Sequence, residues 1–124
     1  MKHLTNREEE IMEVFWTKGA IYVKDIIDEM PEPKPHYNTV STIVRGLEDK
    51  GFVGHEQFGN TYRYSAIISR EEFSKDTIKS MVGKYFNKSY ASVVSMFVEE
   101  EKISIEEIKE LIKQAKSAKN GNDE

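Results

Sequence analysis

Every proline of the chain lies within five residues, Pro31-Glu32-Pro33-Lys34-Pro35. Proline has no amide to donate to an interior helical turn, and its ring clashes with the carbonyl one turn back. No helix runs through this segment, so the helical patterns on either side must be joined by a stiff turn. Upstream, Ile26, Ile27 and Met30 sit at helical spacing in a helix that Pro31 ends. Downstream, Val40, Ile43, Val44 and Leu47 recur at i, i+3, i+4 and i+7, the core stripe of an amphipathic helix. Lys50-Gly51 closes it.

The flanks complete a larger pattern. Thr5-Asn6-Arg7-Glu8 has the form of a capping box, and Ile11, Met12, Val14, Phe15 and Trp16 behind it form a broad apolar face up to Lys18-Gly19. Trp16 is expected in the core. Ile21-Tyr22-Val23 is long enough only for a stub of strand. After the third helix, Phe52 to Phe58 and Thr61 to Ser65 flank Gly59-Asn60, a two-residue hairpin turn. In the second strand Tyr62 and Tyr64 alternate with polar residues, which predicts both tyrosines on the inward, core-facing side.

Beyond residue 66 the pattern is wholly helical. Ser69-Arg70-Glu71-Glu72 and Ser104-Ile105-Glu106-Glu107 are further capping boxes, and Asn87-Lys88 breaks the helix between them. The fold class predicted is mainly α with a small β-hairpin wing: a winged helix-turn-helix over 1–66, a three-helix dimerisation segment over 67–118, and a polar, flexible tail over 119–124. Three short helices make a meagre core by themselves. Their stripes, Ile78, Met81, Val82, Tyr85 and Phe86, then Tyr90, Val93, Val94 and Phe97, then Ile108, Leu111 and Ile112, are therefore read as a homodimer interface.

Composition narrows the function by exclusion. There is no cysteine, hence no disulfide and no thiolate chemistry. His3, His36 and His55 are scattered without ligand spacing, so no metal and no cofactor are expected. No phosphate loop, nucleophile elbow or zincin motif occurs, so the chain is read as no enzyme. Met1 to Thr5 lead straight into charged residues, and no apolar run nears the roughly 20 residues of a membrane span. The expectation is a cytoplasmic protein without direct membrane insertion. Charge cuts the other way from DNA binding: the net charge is −4, and residues 1–65 carry 8 Lys/Arg against 11 Asp/Glu.

The third helix nonetheless presents, opposite its core stripe, Asn38, Thr39, Ser41, Thr42 and Arg45. Side chains this short let a helix backbone enter the major groove, where Asn pairs with adenine, Thr packs on a thymine methyl and Arg reaches guanine or phosphate. Gln57, Asn60, Thr61 and Arg63 of the hairpin are candidates for backbone contacts. On the residues alone, a Ser/Thr-rich solvent face and a hairpin that merely closes the core explain these positions as well.

Three blocks then carry a resemblance: Leu4-Thr5-x-x-Glu8-x-Glu10-Ile11-Met12-x-Val14-x-Trp16, Tyr37-Asn38-Thr39-Val40-x-Thr42 with Leu47-x-x-Lys50-Gly51, and Gly59-x-x-Tyr62-x-Tyr64. In this order they resemble the BlaI/MecI/CopY family of penicillinase repressors. The resemblance implies a dimeric winged-helix repressor whose third helix and wing read a palindromic operator in double-stranded DNA. A basic family position corresponds to Gly46, and the family's wing Gly-Arg is Gly59-Asn60 here. The Asn-Phe cleavage point of the antibiotic-responsive branch falls at Met96-Phe97, with Met in the first position; that branch implies a membrane sensor or protease as the partner that relieves repression. The cysteine cluster of the copper-responsive branch is absent. The acidic balance leaves an alternative open, a winged-helix protein-interaction adaptor that has lost DNA binding.

Overall fold

Thr5 starts the first helix, α1 (Asn6–Lys18), with both halves of the expected capping box: its hydroxyl accepts from the Glu8 amide at 3.2 Å, and Glu8 Oε1 accepts from the Thr5 amide at 2.9 Å. Gly19, at φ +80°, stops α1 by donating its amide to the Phe15 carbonyl. The computed structural model describes residues 3–122. These continue through β1 (Ile21–Tyr22), α2 (Val23–Asp28), α3 (Tyr37–Asp49), β2 (Val53–Phe58), β3 (Thr61–Ala66), α4 (Arg70–Tyr85), α5 (Tyr90–Glu99) and α6 (Ile105–Asn122). They fall into two units that divide between Thr77 and Ile78.

In the first unit the three strands form an antiparallel sheet in the order β1-β3-β2. Phe58 pairs with Thr61 across Gly59-Asn60, so the hairpin has the two-residue turn its sequence predicts, with Gly59 at φ +60°. The helix α2 stops at Asp28, before the end of its apolar pattern, yet Met30 is still buried. Lys34 caps this end, its ammonium donating to the carbonyls of Asp28 (2.9 Å) and Met30 (2.6 Å), groups that a helix end leaves unpaired. Phe15, Phe52, Ile11, Met12, Ile26 and Leu47 are the largest fully buried side chains. Each contributes roughly 1.5–3 kcal/mol through removal from water.

This core runs past the last strand. Trp16 is half-buried rather than enclosed, and its indole N–H donates to the Ile68 carbonyl at 2.9 Å. Phe73, in the first turn of α4, packs against the Trp16 ring at 5.5 Å and the Phe52 ring at 6.1 Å. Ser69 caps α4 through the Glu72 amide; the Glu72 carboxylate returns to the Ser69 hydroxyl rather than to its backbone.

In the second unit, Asn87 and Lys88 take φ +50° and +64° in the turn after α4, and Ser89 caps α5. Ser104 and Glu107 form a reciprocal capping box at α6. Among the described residues of this unit only Val82 is buried. The helix α6 continues through Asn122, beyond Lys119 where a flexible tail was expected; the run Ala115 to Lys119 is rich in helix formers and proline-free. Residues 123–124 of that expected tail lie outside the described residues.

Candidate nucleic-acid interface

The helix α3 is buried on one side only. Val40, Val44 and Leu47 are fully enclosed, while Asn38, Thr39, Thr42 and Arg45 are exposed and Ser41 is half-buried. Asn38, Thr42 and Arg45 stand at i, i+4 and i+7, one continuous stripe along the outer face. The Arg45 guanidinium lies back along this stripe, 3.4 Å from the Ser41 carbonyl and 3.5 Å from the Thr42 hydroxyl. Both contacts are long, so the guanidinium is readily released to another acceptor. Gly46 lies beside the stripe, and a Cβ there meets no atom within 4 Å.

Two ties hold α3 in place. At its C-terminal end Lys50 donates to both Glu8 carboxylate oxygens, at 2.8 and 2.9 Å, and joins α3 to the start of α1. Burial alone raises the Glu8 pKa, but the Lys50 hydrogen bond, the Thr5 amide and the Lys50 charge outweigh it, and the carboxyl ends below its ordinary value. The second tie runs to the wing, where His55 Nδ1 of β2 pairs with Glu48 of α3 at 2.6 Å. His55 also stacks on Tyr62 at 4.3 Å and tilts against Tyr64 at 5.6 Å. The buried Tyr64 phenol is pushed up in pKa by desolvation first and by the Glu48 charge second.

One sequence expectation changes on this face. Tyr64 is buried, but Tyr62 is 43% exposed and is not a core residue. Alternation places both on one side of the hairpin, yet β1 pairs only with Tyr64 and Arg63, and the packed core ends there. Asn60 and Thr61 are exposed at the hairpin tip. Arg63 belongs to the opposite side of the hairpin from Tyr62 and Tyr64, with its guanidinium 4.6 Å above the Phe58 ring. Tyr37, which enters the sequence reading only as part of the family block, is 56% exposed in the first turn of α3.

Of the residues read as a dimer face, Ile78, Met81, Tyr85, Tyr90, Val94, Phe97, Leu111 and Ile112 are exposed. Phe86, Val93 and Ile108 are half-buried, whereas Val82 is already 3% exposed within the single chain and has little left to give a partner. Met96 and Phe97 lie inside α5, where the Met96 carbonyl accepts from the Glu100 amide. Among the described residues no group of three or more His, Asp or Glu is placed to hold a metal, and no helix is long and apolar enough to cross a membrane.

A family profile described as penicillinase repressor matches residues 4–117. The methicillin resistance regulatory protein MecI of Staphylococcus aureus strain N315 is 28% identical over 109 residues, 87% of this chain and 89% of that protein. The penicillinase repressor of Bacillus licheniformis is 26% identical over 118 residues, 94% and 92% of the two chains. The solution structure of the DNA-binding domain of the repressor BlaI superposes with a TM-score of 0.50 at 25% identity, covering 58% of this chain and 93% of that domain.

Proposed function

This chain belongs to the penicillinase repressor family, and on that premise we propose that it represses transcription in the cytoplasm as a homodimer that occupies a palindromic operator. The chain is a transcriptional repressor of winged-helix fold, a regulator like its named relatives rather than an enzyme. The observation that carries the DNA-reading mechanism is the exposed polar stripe of α3. Asn38, Thr39, Ser41, Thr42 and Arg45 face the major groove and read base edges, while Asn60, Thr61 and Arg63 meet the sugar-phosphate backbone. Repression is steric, because the bound dimer blocks the promoter.

The case for the dimer rests on the second unit. A helical unit with, among its described residues, one buried side chain and nine exposed large apolar ones does not bury enough surface to be stable alone. Covering those faces with a second copy completes its core. Two-fold symmetry then sets two recognition helices on matched half-sites. We assign relief of repression by a membrane sensor or protease a poor fit at Met96-Phe97, since the bond is held within a helix and lacks the family's Asn.

The test is fluorescence anisotropy of the full-length protein with a duplex from upstream of its own gene, at two salt concentrations, beside a scrambled duplex. Tight, salt-sensitive preference for the native duplex is expected. A truncation that keeps residues 1–77, and therefore Ile68 and Phe73, should bind far more weakly; equal affinity would overturn the role of dimerisation. Absence of salt-dependent binding to any upstream fragment would favour the adaptor.

A further inference from the structure

A small cavity of about 200 Å³ opens between the start of α3 and the base of the wing, lined by Tyr22, Val23, Lys24, Tyr37, Thr61 and Tyr62. Of its side-chain polar groups, the Thr61 hydroxyl is used in the hairpin turn, where it donates to the Phe58 carbonyl at 2.8 Å. The Lys24 ammonium and the Tyr37 and Tyr62 hydroxyls have no hydrogen-bond or ion-pair partner among the described residues. Tyr37 and Tyr62, which both line it, are 56% and 43% exposed. Lysine is the only charged residue in the lining, so the cavity has a positive rim over aromatic walls. Its volume is below that of ordinary small-molecule pockets, which start near 300 Å³. It lies between the two elements read as the DNA-contacting pair.

We propose that this cavity seats one deoxyribose-phosphate unit of the DNA backbone, with the sugar against the tyrosine rings and the phosphate at Lys24 and a tyrosine hydroxyl. The proposal rests on the DNA-binding reading and deepens it. The contact carries no sequence information; it fixes the angle at which α3 enters the groove. It also supplies a positive contact on a unit whose acids outnumber its bases. Lys24 and Tyr37 are positioning residues, distinct from the base-reading stripe.

The test uses the full-length protein, the upstream duplex and its scrambled counterpart, with binding measured across a salt series. Lys24→Gln, Tyr37→Phe and Tyr62→Phe keep the rings and leave the core untouched, so melting temperatures should match the parent. Lys24→Gln is expected to lower affinity about tenfold per subunit. The loss should be equal on native and scrambled DNA, and the salt slope should drop by about one per subunit. Arg45→Ala should instead reduce the ratio between the two duplexes. Methylphosphonate placed at successive positions should reveal one phosphate per half-site whose neutralisation weakens the parent and abolishes the effect of Lys24→Gln. If Arg45→Ala impairs binding while all three cavity variants retain the parent affinity and slope, the cavity is empty in the complex and the proposal falls, with the repressor reading intact. If no duplex binds in a salt-sensitive way, both fall together.

Discussion

Replacing Glu8 by alanine removes three hydrogen bonds at once: from the Thr5 amide at 2.9 Å and from Lys50 to each carboxylate oxygen at 2.8 and 2.9 Å. Glu8 is 8% exposed, whereas the Lys50 side chain is 29% exposed and can rehydrate when stranded. The lost cap costs about 1 kcal/mol. Stranding one partner of a fully enclosed pair costs about 3–5 kcal/mol, which the access of Lys50 to water reduces to about 1–2. The sum, about 2–3 kcal/mol, lowers the melting temperature of a unit this size by roughly 10–20 °C. Urea unfolding followed by the fluorescence of Trp16, the single tryptophan, measures it. A double-mutant cycle with Lys50→Met should return a coupling of about 1–2 kcal/mol. Because the folded pKa of Glu8 is depressed, its contribution is present above the unfolded-chain value of about 4.3 and is lost as pH falls through the lower folded value. The stability gap between parent and Glu8→Gln should therefore close below about pH 4. A coupling under about 0.3 kcal/mol, or a gap that stays constant from pH 7 to 3, would refute the reasoning.

Gly46→Ala should stabilise the first unit by about 0.5–1 kcal/mol, since the site is helical and its Cβ meets nothing; an unchanged or lowered urea midpoint would contradict this. If the same variant loses DNA affinity while gaining stability, the α3 backbone approaches DNA closely at that point. Tyr85→Lys and Leu111→Lys should each shift sedimentation from dimer to monomer without altering the Trp16-reported unfolding of the first unit. His55→Ala should free the wing from Glu48, and hydrogen exchange of β2 and β3 amides should accelerate while α1 stays protected.

The helices, the hairpin turn and the capping boxes, two of which close completely, were legible because each is specified within a few residues. The stripe Val40, Val44 and Leu47 needs only the 3.6-residue period, and Gly59-Asn60 needs only tolerance of positive φ. Tyr62 was misread for a different reason. Alternation tells which side of a strand a residue occupies, but not how far the packed core extends along that side, and here the core takes in Tyr64 and stops short of Tyr62. The tie between His55 and Glu48 was equally invisible, since it depends on strand register and on where the hairpin leans. The Ser69 box correctly marks a new helix, yet a helix start is not a unit boundary: Phe73, four residues on, still packs on Trp16 and Phe52.

The fate of individual cations reconciles an acidic first unit with DNA binding and gives that reading a quantitative limit. Among the described residues up to Ser65, Arg7 pairs with Glu10, Lys18 with Glu29, Lys50 with Glu8, and Lys34 serves the carbonyls after α2. These four are already engaged within the subunit. Lys24, Arg45 and Arg63 remain without an acidic partner, all on α2, α3 or the wing. Three cations per subunit, doubled in a dimer, neutralise about six phosphates, which corresponds to a slope of log affinity on log salt near −5. Lys24→Gln should bring it to about −3.5, and the truncation 1–77, binding as one subunit, to between −2 and −3, each roughly. Anisotropy titrations from 50 to 200 mM salt would measure all three. A parent slope near −10 would mean that the tied lysines, or cations of the second unit, also meet the DNA, and the division between folding and binding cations drawn from this structure would be wrong.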